Sequence, residues 1–191
     1  MLVIKPTAIL ISHYHVIIQA LASLTLPFLT LAIYLWRKPI SLFNALRIAF
    51  VHKKNPDEII NMLKKIGELD KDIQQKLWLT RNLYSETPLM FALRDQTDPA
   101  VITLVLNQIG KFDKEIQEQI WLQRNEDDWN ILMVALRHQT NPAIITLALN
   151  QIAEFDENIQ QNLWLQRNIN GWNTLMFALR YQTDLDVITL A

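Results

Sequence analysis

Apolar side chains in residues 82–124 recur at helical spacing in three short blocks separated by polar breaks. The first block predicts a helix from about Thr87 to Asp95. The second opens at Asp98-Pro99, where Asp is a good N-cap and Pro is tolerated at the first helical position. It is apolar almost all round, so it should be the most buried element. The third block predicts a helix from Asp113 to about Gln123. No stretch alternates with period two, so we expect no sheet.

The same blocks return when the sequence is shifted by 43 residues. Matching columns include Trp78, Trp121 and Trp164; Arg81, Arg124 and Arg167; and Ala92, Ala135 and Ala178. The tryptophans lie at helical spacing beside Ile and Leu, so we predict that this column is part of the core. A fixed period of this length is typical of stacked repeats, in which each unit buries its apolar face on the next. We therefore predict an all-α, helical-repeat solenoid with units at 39–81 (a weaker copy), 82–124, 125–167 and a partial 168–191.

The first 38 residues form a separate hydrophobic segment. Residues 16–36 contain no Lys, Arg, Asp or Glu and are long enough to span a bilayer as a helix. Tyr34 and Trp36 stand at its end like interface aromatics, and the five basic residues between 37 and 54 place the repeats in the cytosol by the positive-inside rule. The alternative is a soluble, cytoplasmic protein in which two helices split at Pro27 form a terminal repeat or a dimer interface.

Composition argues against several functions. The net charge is −1, and all 19 acidic residues lie at or after Asp57, which disfavours a nucleic-acid groove. There is no cysteine, and the three glycines cannot form a phosphate-binding loop. The four histidines show no metal-ligand or catalytic spacing. We therefore expect no catalytic activity, no cofactor and no metal.

Two stretches resemble ankyrin repeats: Asn-Ile-Asn-Gly-Trp-Asn-Thr-Leu-Met-Phe-Ala at 168–178 and Thr-Pro-Leu-Met-Phe-Ala at 87–92. The resemblance covers the first two helices of each unit in 39–191. The units are longer than the roughly 33 residues of an ankyrin repeat, and the excess is the third helix. Pro88 is replaced by Ile131 and Thr174 in the later units. We therefore expect divergent, elongated ankyrin-like repeats, which implies an unidentified protein partner bound by the turn tips and the first helices.

Comparison of the units locates the positions that vary on that side. The candidate partner-binding residues are Tyr84, Asp127 and Asn170; Glu86, Trp129 and Trp172; and Asp95, His138 and Tyr181. Aromatic residues dominate binding hot spots, which favours Trp129, Trp172 and Tyr181. Individual positions could equally vary by drift. The partial last unit also predicts an uncovered apolar face and self-association through the C-terminus, or else a truncated reading frame.

Three polar columns hardly vary, and we assign them structural roles. They are Arg94, Arg137 and Arg180; Gln96-Thr97, Gln139-Thr140 and Gln182-Thr183; and Asn107-Gln108 and Asn150-Gln151. An arginine at a helix end interacts favourably with the last carbonyls. Threonine and asparagine side chains at unit joints can hydrogen-bond the adjacent backbone, and stacked units would repeat these bonds as ladders.

The membrane assignment predicts how the protein fractionates. The full-length chain should stay with membranes after alkaline carbonate washing, whereas 39–191 should be released, because only the former carries the 16–36 helix. Immunoblotting of the washed pellet and supernatant measures this. A full-length chain that is released and folded would contradict the membrane helix and favour the packed terminal repeat.

Overall fold

The computed structural model describes residues 39–52 and 55–182, and its regular elements in these ranges are all helices. The all-α prediction is therefore confirmed for this part of the chain. The only extended pairings there are two isolated bridges, Arg124 with Asn130 and Arg167 with Asn173. The helices are α1 (39–51), α2 (Pro56–Gly67), α3 (Lys71–Leu79), α4 (Pro88–Asp95), α5 (Pro99–Ile109), α6 (Lys114–Trp121), α7 (Ile131–His138), α8 (Pro142–Ala153), α9 (Glu157–Leu165) and α10 (Thr174–Tyr181).

The first two helices of a unit begin with side-chain caps: Asp98 was predicted as one, whereas Thr87 was predicted as the first helical residue and is the N-cap. The Thr87 hydroxyl accepts from the amide of Met90, and the Asp98 carboxylate accepts from the amides of Ala100 and Val101. The third helix differs. Asp113 occupies the N-cap position, but its side chain makes no capping hydrogen bond, and α6 ends at Trp121 instead of reaching Gln123.

Equivalent helices of successive units pack against one another. The first helices α4, α7 and α10 contact in that order, as do the second helices α2, α5 and α8, and the third helices α3 and α6. The tryptophan column predicted as core is fully buried at Trp78 and Trp121. Trp164 in the last full unit is only partly buried. These contacts agree with the helical-repeat pattern read from the sequence.

A ladder of glutamine side chains joins each first helix to the one before it. Gln96 donates from Nε2 to the Phe50 carbonyl at 2.8 Å. One unit later Gln139 donates to the carbonyls of Leu93 and Gln96, the latter at 3.1 Å. Gln182 repeats this with the carbonyls of Leu136 and Gln139. All three glutamines are buried. A ladder of side-chain hydrogen bonds is therefore present, but glutamines form it, whereas we predicted it for threonine and asparagine.

A second glutamine ladder joins the second helices. Gln108 Nε2 donates to the Leu63 carbonyl at 2.6 Å, and Gln151 Nε2 to the Leu106 carbonyl at 2.7 Å. Each amide lies where a glycine of the preceding unit leaves room, since a Cβ at Gly67 would come within 3.1 Å of the Gln108 nitrogen. Gly67 and Gly110 thus serve close packing, and the backbone at Gly110 is right-handed.

Two regions with sequence-based predictions lie outside the described residues: the hydrophobic segment 16–36 and the C-terminal residues 183–191. Among the residues that the structure does describe, no helix combines the length and apolar character needed to cross a bilayer.

Removing one ladder amide should destabilise the repeats. Gln139→Ala leaves the buried carbonyls of Leu93 and Gln96 without their donor, and we expect the free energy of unfolding to fall by about 1–3 kcal/mol. Urea denaturation followed by circular dichroism measures the change. Gln119→Ala on the exposed face of α6 is the matched control, with an expected effect within about 0.5 kcal/mol. Equal losses in both variants would contradict a structural role for the ladder.

Candidate functional site

An asparagine opens the turn before each first helix and organises it. The Asn125 Oδ1 accepts from the amides of Asp127 and Trp129, at 3.1 and 2.9 Å. Asn82 and Asn168 make the same pair of bonds two and four residues further on. The three turns therefore share one conformation in spite of their different side chains.

The fourth residue of each turn has a left-handed backbone. Its φ angle is 58° at Ser85, 61° at Asp128 and 77° at Gly171. Only the glycine adopts this region without steric cost from a Cβ. Asn170-Gly171 is a dipeptide typical of turns, and it forms one here, whereas the other two units form the same turn with less suitable residues.

Successive turn tips are hydrogen-bonded to one another through the backbone. The Glu126 amide donates to the Tyr84 carbonyl at 3.0 Å, and the Ile169 amide donates to the Asp127 carbonyl at 3.2 Å. Tyr84, Asp127 and Asn170 occupy the same position in their turns, and all three are exposed. The tips therefore form a continuous row in which side chains from adjacent units are neighbours.

A groove of about 160 Å³ lies between the turn of one unit and the first helices of two units. Four of the predicted partner-binding residues line it: Glu86, Asp127, Trp129 and His138. The remaining lining residues are Met90, Arg94, Asn125 and Val134. The structure therefore places four residues from the variable columns of two successive units in one groove.

At the Glu86 end of the groove, Arg94 is neutralised by two carboxylates. It forms ion pairs with Glu86 and with Asp95, the latter at 3.1 Å, and it lies over the Phe91 ring. Partial burial acts to lower the arginine pKa, but the hydrogen bonds and charges of Asp95 and Glu86 outweigh it, so the pKa is raised. Arg94 is therefore charged and already paired.

Next to the groove, an aromatic cluster surrounds Phe177. Its ring centroid lies 4.8 Å from that of Trp129, 5.8 Å from that of Trp172 and 5.7 Å from that of Tyr181. Three predicted residues from two units thus gather around a buried phenylalanine. Tyr181 keeps 37% of its surface exposed, and both tryptophans are partly exposed.

The repeated arginines lie in the last turns of their helices, as predicted, and their side chains also contact this cluster. The guanidinium of Arg137 lies 4.9 Å from the Trp129 ring centroid and 5.5 Å from that of Tyr181. Arg180 lies 5.2 Å from the Trp172 centroid and 5.7 Å from that of Tyr181. Contacts of this kind are attractive because the face of an aromatic ring carries a partial negative charge.

One sequence signal could have identified these arginine contacts. The residue eight positions before each repeated arginine is Glu86, Trp129 or Trp172, and each contacts its own arginine. An arginine that recurs in three units, always eight residues after a carboxylate or an indole side chain, predicts contact between the two side chains. Tyr84 and Asn170, by contrast, lie on the turn tips outside the groove lining.

His138 is the titratable group at the far side of the groove. Burial lowers the pKa of its imidazole below the ordinary value of 6.5, the positive charges of Arg137 and Arg94 lower it further, and Asp95 opposes the shift. The ring is therefore neutral near pH 7. Within the described residues, no group of three His, Asp or Glu side chains is arranged to hold a metal ion.

His138 should therefore titrate with a midpoint below 6.5, measured from its imidazole protons by NMR. As the pH falls below 6.5, the unfolded chain takes up this proton before the folded chain does, so the stability that neutral His138 contributes is lost toward acid pH. Arg137→Gln should move the midpoint upward by removing one positive charge, whereas the remote Lys76→Gln should leave it in place. A midpoint at or above 6.5 in the unchanged protein would contradict this account of the groove.

Comparison with known proteins gives no further constraint on this surface: no protein-family model, curated protein or solved structure matches the chain.

Proposed function

We propose that the described helices are part of a short, ankyrin-like solenoid that binds another protein. The register of the units supports the solenoid, because each class of helix packs on its equivalent in the neighbouring unit. The paired helices behind an asparagine-led turn support the ankyrin-like assignment, with α3, α6 and α9 as the added third helices.

The observation that carries protein binding is the convergence of the variable positions. Four of them line one groove, and Trp172 and Tyr181 extend the same surface around Phe177. Partly exposed aromatic side chains with cationic neighbours are typical of interface hot spots. Binding suits this groove better than catalysis, since its most buried charges, Glu86 and Arg94, are paired with each other.

We further propose that residues 16–36 tether the repeats to a membrane, with the repeats in the cytosol. The support is the apolar, uncharged sequence of that segment and the basic residues that follow it. The runner-up is a soluble repeat scaffold in which the same segment forms a terminal repeat or dimer interface.

Self-association is favoured by a second surface, on α10. Leu179 is 70% exposed and Met176 39% exposed, whereas the equivalent Leu136 and Met133 in α7 are fully buried. Leu136 and Met133 lie on α7, on which the first helix of the next unit, α10, packs. Exposed apolar side chains in such a column fit contact with a second protein surface.

Site-specific photo-crosslinking tests the protein-binding proposal. A benzophenone amino acid at position 84 or 127 of the full chain should yield discrete adducts with another protein in cells, because both positions lie on the exposed turn tips. Position 115, an exposed site on α6, is the matched control and should yield none of them. Identical adducts from all three positions, or adducts from 115 alone, would argue against the proposed surface.

A further inference from the structure

The repeated arginine has two different environments along the chain. In unit 82–124, Arg94 is held by the carboxylates of Glu86 and Asp95. In the following units the position of Glu86 is taken by Trp129 and Trp172, and that of Asp95 by His138 and Tyr181. Among the described residues, no carboxylate lies within ion-pair distance of Arg137 or Arg180. The later units therefore lack both of these carboxylates but retain the arginine.

The aromatic contacts hold these two cations in place. Arg137 packs on Trp129 and Tyr181, and Arg180 packs on Trp172 and Tyr181. A guanidinium over an aromatic face still has its N–H groups available as donors at its edge. Because packing restricts the rotamers of both side chains, a ligand that binds them has less conformational entropy to remove.

We infer that Arg137 and Arg180 bind carboxylate side chains of an acidic segment of the protein partner. Glu86 and Asp95 provide the internal example, since they supply to Arg94 what the partner would supply to the other two arginines. Arginine–carboxylate pairs are strong because the planar fork of donors matches two oxygens. The inference rests on the proposed protein-binding function.

A fluorescent peptide of alternating glutamate and glycine is the probe, with lysine–glycine and serine–glycine peptides as controls. The purified full chain should bind the glutamate peptide, measured by anisotropy at low salt, and more weakly as salt screens the charges. Arg137→Gln combined with Arg180→Gln should reduce the affinity by roughly tenfold or more. Lys76→Gln combined with Lys111→Gln removes the same charge from exposed sites elsewhere and should leave binding nearly unchanged.

Two further variants separate the inference from loss of folding. Trp129→Glu combined with His138→Asp gives Arg137 the surroundings of Arg94 and should weaken binding while circular dichroism stays native. Glu86→Gln combined with Asp95→Asn frees Arg94 and should strengthen binding several-fold, which a misfolded protein would not do. Arg137→Lys keeps the charge but loses the planar fork, so its affinity should be intermediate.

The outcomes distinguish this inference from the function on which it rests. A glutamate peptide that binds no better than the serine peptide overturns the acidic specificity, as does equal weakening by the arginine and lysine variants. If positions 84 and 127 still crosslink a partner in that case, protein binding stands and only the chemistry of the partner is wrong. If neither experiment gives a signal, both proposals fail.

Discussion

Amide hydrogen bonds from each repeat to the one before it are the interaction on which the stack depends. The last carbonyls of a helix have no partner within the helix, and burying them unpaired would be costly. Gln139 and Gln182 each donate to carbonyls of the preceding unit. Gln108 and Gln151 add hydrogen bonds between second helices, where the Leu106 carbonyl also accepts from the Gly110 amide of its own helix. An interface made only of Leu, Ile and Val would tolerate sliding, because apolar contact has no direction. The directed amides set the offset between units, and that offset brings the turn tips into line.

The surface proposed to bind a partner has this alignment, but its chemistry varies from unit to unit. Each of the three units from residue 82 onward presents an arginine at the same place, and the residue eight positions earlier determines whether a carboxylate or an aromatic ring lies beside it. Glu86 and Asp95 pair with the first of these arginines, whereas Trp129 and Trp172 place an indole ring beside the next two. Charge along the surface is therefore graded without any change in the backbone, since the turn asparagines make identical hydrogen bonds in all three units.

Much of the fold was readable from local signals. Thr87 and Asp98 mark helix starts because capping depends on residues only two or three positions apart. The end of α6 was misplaced because nothing local marks it, and Trp164 was expected to be as buried as Trp121, although its burial depends on what packs beyond it. Comparison of the repeats found four groove residues and placed Arg137 and Arg180 correctly at helix ends, but it missed their aromatic contacts. The contact of Arg137 with Tyr181 joins two different helices, and that of Arg180 with the adjacent Tyr181 depends on the directions of the two side chains. Residue spacing alone predicts neither contact.

The turn tips have a consequence for how such a protein can change. Their shape is maintained by one asparagine, by backbone hydrogen bonds and by a single left-handed residue, none of which involves the outward side chain at Tyr84, Asp127 or Asn170. Substitutions at those positions leave the geometry of the neighbouring tips intact. The chemistry of the surface can therefore be altered one tip at a time, and the same modularity makes this array a practical starting framework for libraries in which only the tips are randomised.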